Sequence, residues 1–185
     1  MKLQTERLIL RPWQDSDAED LYEYAKDDRV GPIAGWPVHT SVEESAEIIR
    51  TVFNMPEVYA VEHKDNGRAV GCVGILIGKN SNFEISEEEE GEIAYWIGVP
   101  YWGQGLIPEA VREVMRHAFE TLKLKALWCG YFANNAQSQI VQTKCGFRHH
   151  HTEENKYNQF LQDYRTEHIS RITAQEWLAL PTQQA

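Results

Sequence analysis

Apolar and polar residues alternate through the opening twelve positions, with Leu8, Ile9 and Leu10 ahead of Arg11, and this predicts a first strand that stops at Pro12. Ser16 and Glu19 then stand three apart before Leu21, Tyr22 and Tyr24, the spacing of a capping box that opens a helix. A second such pair, Ser41 with Glu44, opens another helix with Ile48, Ile49 and Val52 on one face. Between them GPIAGWPVHT is too rich in Gly and Pro to be regular and reads as a loop. From Val58 the period changes to that of strands: VYAVEHK, a turn at Asn66-Gly67, then AVGCVGILIG, with Asn-Gly a strong hairpin signal. EIAYWIGV (92–99) reads as a further strand.

Helical spacing takes over at Ile107, Val111, Val114, Met115, Ala118, Phe119 and Leu122. A strand over 126–132, a short helix around SQIVQTK, a turn at Cys145-Gly146, a strand from Phe147 and a strand over 166–172 follow, and Thr173 with Glu176 boxes a terminal helix. The order β-α-α-β-β-β-α-β-α-β-β predicts one mixed α/β domain over residues 1–185, without repeats or linkers.

At 185 residues and 42% hydrophobic, the chain can bury one sizeable core. The net charge of −10 argues against nucleic acid as a partner, because phosphate binding needs clustered Lys and Arg, and it suits a cationic acceptor such as an amine. Part of that charge is the run Glu87 to Glu90, expected to be a solvated loop or an acidic lip. No apolar run approaches the ~18 residues of a membrane helix and MKLQTERLILRPW does not read as a leader, so no membrane partner and a cytoplasmic location are the expectations. Cys72, Cys129 and Cys145 form neither a disulfide framework nor a zinc spacing. Three consecutive histidines, His149 to His151, cannot all ligate one metal on a strand whose residues alternate in direction, and no metal is expected. A homodimer is the base expectation for a small enzyme.

YWGQGLIPEA (101–110) sets two glycines just before the long helix. A helix start offers unpaired N–H groups and partial positive charge, and glycines admit a phosphate close to the backbone. Alone, the segment is a weak signal, since a strand-turn-helix with glycines is more often only a tight turn. A dinucleotide fingerprint would need glycine where Pro108 stands, and a P-loop would need Lys-Ser/Thr where Leu106 and Ile107 stand.

EIAYWIGVPYWGQGLIPEAVREVM, followed about thirty residues on by NNAQSQIVQTKCGF, resembles the GCN5-related N-acetyltransferases, and within them the ribosomal-protein N-terminal acetyltransferases. The opening TERLILRP also looks like that branch. The resemblance implies a twisted mixed sheet of about seven strands, flanked by helices and splayed between the fourth and fifth, with acetyl-CoA wedged in the splay. It implies that residues 92–99 are the fourth strand, that Trp96, Ile97, Gly98 and Val99 meet the cofactor, and that Trp102, Gly103, Gln104, Gly105, Leu106 and Ile107 form the pyrophosphate loop. Asn135 and Ser138 match the family's Asn-x-x-Ser, with Asn135 expected on the pantetheine arm. Trp102 and Ile107 depart from the family's usual loop ends, and the tyrosine that protonates the leaving thiolate in many members falls at Gln142.

Acetyl transfer to an amine requires a neutral amine, a stabilised oxyanion and a departing thiolate. An N-terminal amine, with a pKa of roughly 7.7–8.0, needs less help than a Lys near ~10.4. Glu92 is the candidate base, directly or through water; its plainer reading is a continuation of the acidic loop. A backbone N–H around Trp96 to Gly98 is the oxyanion donor that the resemblance implies. Ser138 is the candidate for assisting the thiolate, with a helix N-cap as the alternative. Trp36 is a candidate substrate lid or a packing residue. Tyr95 and Trp96 alternate, so one faces the core while the other lines the cofactor or acceptor side, and Tyr95 is the candidate for substrate. The expected activity is acetyl-CoA-dependent acetylation of a primary amine, either a peptide or protein α-amine or a small amine, in a ternary complex. The competing readings are a non-catalytic module that binds CoA or a partner, and a nucleotide-binding protein.

Overall fold

The computed structural model describes residues 1–86 and 89–181. The expected first strand is split in two, β1 (Leu3–Gln4) and β2 (Leu8–Arg11), by a turn closed by a Thr5 N–H bond to the Leu8 carbonyl at 3.0 Å. That turn delivers Arg7 to the glycine segment described below. Helix α1 (Ala18–Ala25) follows a single 3₁₀ turn, and the expected Ser16–Glu19 box does not form. Arg11 clamps Asp17 at 2.7 and 2.8 Å, and Asp17 accepts the Gln14 N–H at 2.9 Å, which starts the turn earlier than the box predicted.

The segment expected to be a loop holds one short helix, α2 (Gly31–Ala34), with Pro32 in its first turn and Gly35 closing it at φ +99°. Helix α3 (Val42–Thr51) is capped by Ser41 as expected, but Glu44 reaches back to Thr40 rather than to Ser41. Ile49 is buried, whereas Val52 stands outside the helix and is exposed. Strands β3 (Val58–His63) and β4 (Arg68–Ile77) form the predicted hairpin, with Gly67 at φ +65°.

Strand β5 (Glu90–Ile97) begins and ends two residues before the expected span, and Val99 lies in a 3₁₀ turn instead. Then come α4 (Leu106–Glu120), β6 (Ala126–Phe132), α5 (Ala136–Lys144), β7 (Arg148–Asn158), β8 (Asp163–Thr173) and α6 (Ala174–Leu178), the last boxed by Thr173 and Glu176 as predicted.

The sheet has eight strands in the order β1-β2-β3-β4-β5-β6-β8-β7, one more than expected because the first strand is broken. All neighbours are antiparallel except β5 and β6, which are parallel and pair only at Glu90–Ala126, Gly91–Leu127 and Glu92–Trp128. Both strands continue past that point without pairing to each other, β5 keeping β4 and β6 keeping β8, so the sheet opens there, at the splay the resemblance implied. Ile93, Val111, Val114, Met115 and Leu127 are buried in the core that joins α4 to the sheet. At Gly71 the backbone of β5 comes so close that an added Cβ would lie 2.4 Å from the Trp96 carbonyl oxygen. Gly71→Ala should therefore destabilise the fold by about 1–3 kcal/mol, read as a lower urea midpoint at unchanged slope; an unchanged midpoint would refute this packing argument.

Of the acidic run, Glu87 and Glu88 lie outside the described residues. Glu89 pairs with Lys125, and Glu90 accepts from Arg171 at 2.9 Å and from the Trp128 indole at 3.1 Å, so these two are not simply solvated. All three cysteines are buried and free, and burial pushes the Cys72 and Cys145 thiols up to about 12, which makes them inert. A bulge between His149 and His151 breaks the strict alternation assumed for the histidine run. His150 and His151 consequently meet, Nδ1 to Nδ1 at 2.8 Å, while His149 packs near His168. Among the described residues no group of three or more metal-ligating side chains comes together, and no helix is long and apolar enough to cross a membrane.

Candidate active site

The glycine segment leaves β5 through the 3₁₀ turn, and Gly103 and Gly105 both adopt left-handed backbone, φ +73° and +77°. Gly105 is the N-cap of α4, with no side chain capping it. Among the described residues, the N–H groups of Gly103, Gln104, Gly105, Leu106 and Ile107 donate no hydrogen bond. Free donors at the positive end of a fifteen-residue helix make an anion cradle. Arg7 braces it from behind, donating to the Gln104 carbonyl at 2.9 Å while ion-paired to Glu109 at 2.6 Å. The Gln104 side chain is spent on the Pro100 carbonyl at 2.9 Å. Trp102, the departure from the family loop, donates its indole N–H to the Ile97 carbonyl at 2.9 Å, so it ties the loop to the end of β5.

A cleft of about 380 Å³ runs from this cradle to the opening between β5 and β6. Trp96, Ile97, Trp102, Gly103, Gly105, Leu106, Ile107, Asn135 and Ser138 line it, as does Tyr95. Gly98, Val99 and Gln104 are not in its lining; at Gly98 a Cβ would strike the Tyr24 ring.

Asn135, not Ser138, is the N-cap of α5: its side-chain oxygen accepts the Ser138 N–H at 3.1 Å, and its amide reaches the Ile33 carbonyl at 3.4 Å. The Ser138 hydroxyl is thereby left for other partners. It lies 2.8 Å from the Tyr95 hydroxyl and 3.4 Å from Gln142 Nε2. Tyr95 is part-exposed along its ring, but its hydroxyl is enclosed, and that burial raises its pKa well above the usual tyrosine value.

Trp96 alternates with Tyr95 and faces the other side, where it meets Trp36 edge to face at 5.9 Å and Trp13 stacked at 6.3 Å. Trp36 and Tyr95, the two candidates for substrate, therefore lie on opposite faces of the sheet. Glu92 shares the Trp96 face by alternation and occupies the last paired position before the opening. The residue is 6% exposed, and its carboxylate accepts from Ser81 Oγ at 2.9 Å and from Asn82 N and Nδ2 at 2.6 and 3.0 Å. Burial raises its pKa in spite of these donors, with the nearby Glu167 adding to the rise.

Glu167 was not singled out in the sequence, nor were Ser81, Asn82 and Phe83. Gly130, on β6 just past the last β5–β6 pair, is where Glu167 and Phe83 converge: an added Cβ would collide with a Glu167 carboxylate oxygen and lie 2.8 Å from the Phe83 ring. Lys156 holds Glu167 at 2.9 Å and lies over the Phe83 ring, 5.2 Å from its centroid. A lone glycine inside the strand ALWCGYF is the signal that could have flagged this close approach.

Among known proteins, the uncharacterized N-acetyltransferase YoaA of Bacillus subtilis is 26% identical over 151 residues, covering 79% of this chain and 82% of that one. A ribosomal-protein-S5-alanine acetyltransferase from Vibrio fischeri superposes with a TM-score of 0.73 at 19% identity, covering 96% and 98%. The microcin C7 self-immunity acetyltransferase MccE, solved with acetyl-CoA and AMP, superposes at 0.74 with 15% identity, covering 91% and 93%. The model of the acetyltransferase (GNAT) domain matches residues 7–148. With that match spanning most of the chain, and with the cradle and the parted strands in place, the protein belongs to the GNAT family of acetyltransferases.

Proposed function

We propose that this chain transfers an acetyl group from acetyl-CoA to a primary amine, either the α-amine of a peptide or protein or a small amine, by direct attack in a ternary complex. The observation that carries this reading is the row of free N–H donors at Gly103 to Ile107, opening a cleft that ends at the gap in the sheet. A second observation fits the same donor: Gln142 Oε1 is buried without a partner among the described residues, which suits an amide N–H such as those of a pantetheine arm. Acetyl-CoA supplies an acetyl thioester, with a thiolate as the leaving group.

The residues of the chain divide the remaining work. The N–H groups of residues 103–107 hold the pyrophosphate, and Trp102 keeps their loop in place. Trp96 and Ile97, which line the cleft, provide its edge beside the gap for the oxyanion and the arm, whereas the Gly98 N–H is spent on the Val70 carbonyl at 2.9 Å, and Asn135 fixes the start of α5 beside it. Glu92 takes the proton of the incoming ammonium, directly or through one water, and its raised pKa brings it nearer to that of the amine. Trp36 walls the acceptor side with Trp96, and Tyr95 belongs to the cofactor side with Ser138, which assists the departing thiolate. The sheet thus separates base from thiolate partner, and the two meet only through the opening.

An acceptor panel tests this: N-terminal peptides with differing first residues, polyamines, amino acids and aminoglycosides, each offered with acetyl-CoA while free thiol is followed. Thiol release with at least one amine is expected. Thermal stabilisation by CoA with no thiol released from any acceptor would sink the proposal.

A further inference from the structure

Three donors meet the Glu92 carboxylate, and all come from one short segment of the loop between β4 and β5. Oε2 accepts from the Ser81 hydroxyl at 2.9 Å and from the Asn82 N–H at 2.6 Å, while Oε1 accepts only from Asn82 Nδ2 at 3.0 Å. An ionised carboxylate offers about four lone-pair sites, two on each oxygen. Oε2 is therefore filled, and one site on Oε1 is left for a further partner. A carboxylate only accepts, so the Asn82 atom facing Oε1 is the NH₂. The Ser81 oxygen accepts the Phe83 N–H at 3.0 Å, and among the described residues Glu92 Oε2 is the acceptor in reach of its own proton. Phe83 seats the segment, its ring against Gly130 and beneath Lys156.

The surrounding charges set the balance against which these donors act. Burial opposes the charged form of Glu92, the contacts from Asn82 and Ser81 support it, and Glu167 on β8 adds repulsion. Glu167 is itself held by Lys156 of β7 at 2.9 Å, and Lys156 also by Glu153 at 2.8 Å. Glu90, on the same face of β5, is paired with Arg171 of β8 at 2.9 Å. The Cys129 thiol of β6 is pushed well above its usual range by burial and by Glu92, and stays neutral. From β4 the register partner is Leu76, which carries no charge. Ser81 and Asn82 are thus the neighbours whose contacts favour the carboxylate.

We propose that Ser81 and Asn82 are positioning residues: they keep Glu92 in its working, charged form inside the sheet and leave Oε1 to meet the acceptor's proton. This rests on the reading of Glu92 as the base. The N–H bond of the ammonium breaks with its electron pair left on nitrogen, for attack on the thioester carbon, and the proton passes to Oε1 directly or through one water. The resulting carboxyl lies among donors that bind the anion better than the acid, so it returns its proton to water before the next turnover. Without those donors the buried group would hold its proton to higher pH, and less of it would be a base near neutrality.

The test is the acidic limb of kcat/KM against pH, measured with one α-amine acceptor for the wild type, Ser81→Ala, Asn82→Ala, Ser81→Thr and Glu92→Gln. The acceptor's own ionisation is common to all five, so a moved limb belongs to the protein. Removing one donor to a charged group should move the limb up by about one to two pH units, with the rate at its foot falling about tenfold or more and the deficit shrinking as pH rises. Ser81→Thr, which keeps the hydroxyl, should hold the wild-type limb. A loop that was merely loosened would lower the rate at every pH without moving it. Two alanine variants keep the test usable if one unfolds the protein. A folded alanine variant whose limb stays in place, while Glu92→Gln abolishes it, would overturn the positioning role alone. A limb that survives Glu92→Gln would make Glu92 only a staple for the loop, overturning the base and this inference with it.

Discussion

Glu92→Gln is expected to lower kcat/KM for acetyl transfer by about 10²–10⁴ at neutral pH, a loss of roughly 2.7–5.4 kcal/mol of transition-state stabilisation at ~1.36 kcal/mol per decade. The residue sits at the last β5–β6 pair, nearly enclosed, with its charge held by Ser81 and Asn82. Burial raises its pKa above the ordinary 4.5. A base works in its deprotonated form, so activity should rise as pH climbs through that raised value, and the substitution should remove this acidic limb. The size of the loss also depends on the acceptor. An α-amine, with a pKa of about 7.7–8.0, sheds its own proton by pH 9, so the deficit should shrink there, whereas an amine near ~10.4 should keep it. The measurement is kcat/KM against pH for both kinds of acceptor. A variant that keeps the wild-type rate and profile would remove Glu92 from the chemistry.

Gly105→Val is expected to weaken CoA binding by at least about tenfold. Gly105 holds φ +77° at the N-cap of α4, and a side chain in left-handed backbone costs roughly 1–2 kcal/mol per residue. Space behind the residue is not the constraint, since the nearest atom to an added Cβ is an Arg7 nitrogen at 3.7 Å. The loss comes from the backbone, which must either bear the strain or swing its N–H groups out of register with the ligand. The free protein should melt only about 2–8 °C lower, at roughly 2–4 °C per kcal/mol for a chain of this size. The wild type should gain ~2.7 kcal/mol from CoA at a hundred times its Kd, and the variant at the same concentration should gain at least about 1.3 kcal/mol less. An undiminished ligand-induced shift would show that the phosphates lie elsewhere.

Local chemistry made much of this molecule legible from its residues. Asn66-Gly67 marked a hairpin because left-handed backbone at Gly67 is a local requirement. The spacing from Ile107 to Phe119 marked α4 because each turn must bury the same face. The two glycines before it marked the turn that opens α4. Elements failed where a distant partner outbid the local signal. Arg11 on β2 captured Asp17 and displaced the Ser16–Glu19 box, and the Thr5 turn broke the first strand where Arg7 reaches Glu109.

The sequence by itself determined most of the order of elements, the glycine turn ahead of α4, and Glu92 and Ser138 as the residues to watch, because each depends on short-range spacing or matches a family motif in the chain. Only the tertiary structure decided which face each side chain takes and who its neighbours are. Asn135 rather than Ser138 caps α5, Tyr95 stands with Ser138 and Gln142, and Glu167 settles on Gly130 beside Glu92. The Tyr95–Ser138 and Glu167–Gly130 contacts join elements far apart in sequence, and they lie where β5 and β6 part after three pairs, so that side chains there are met from outside the sheet.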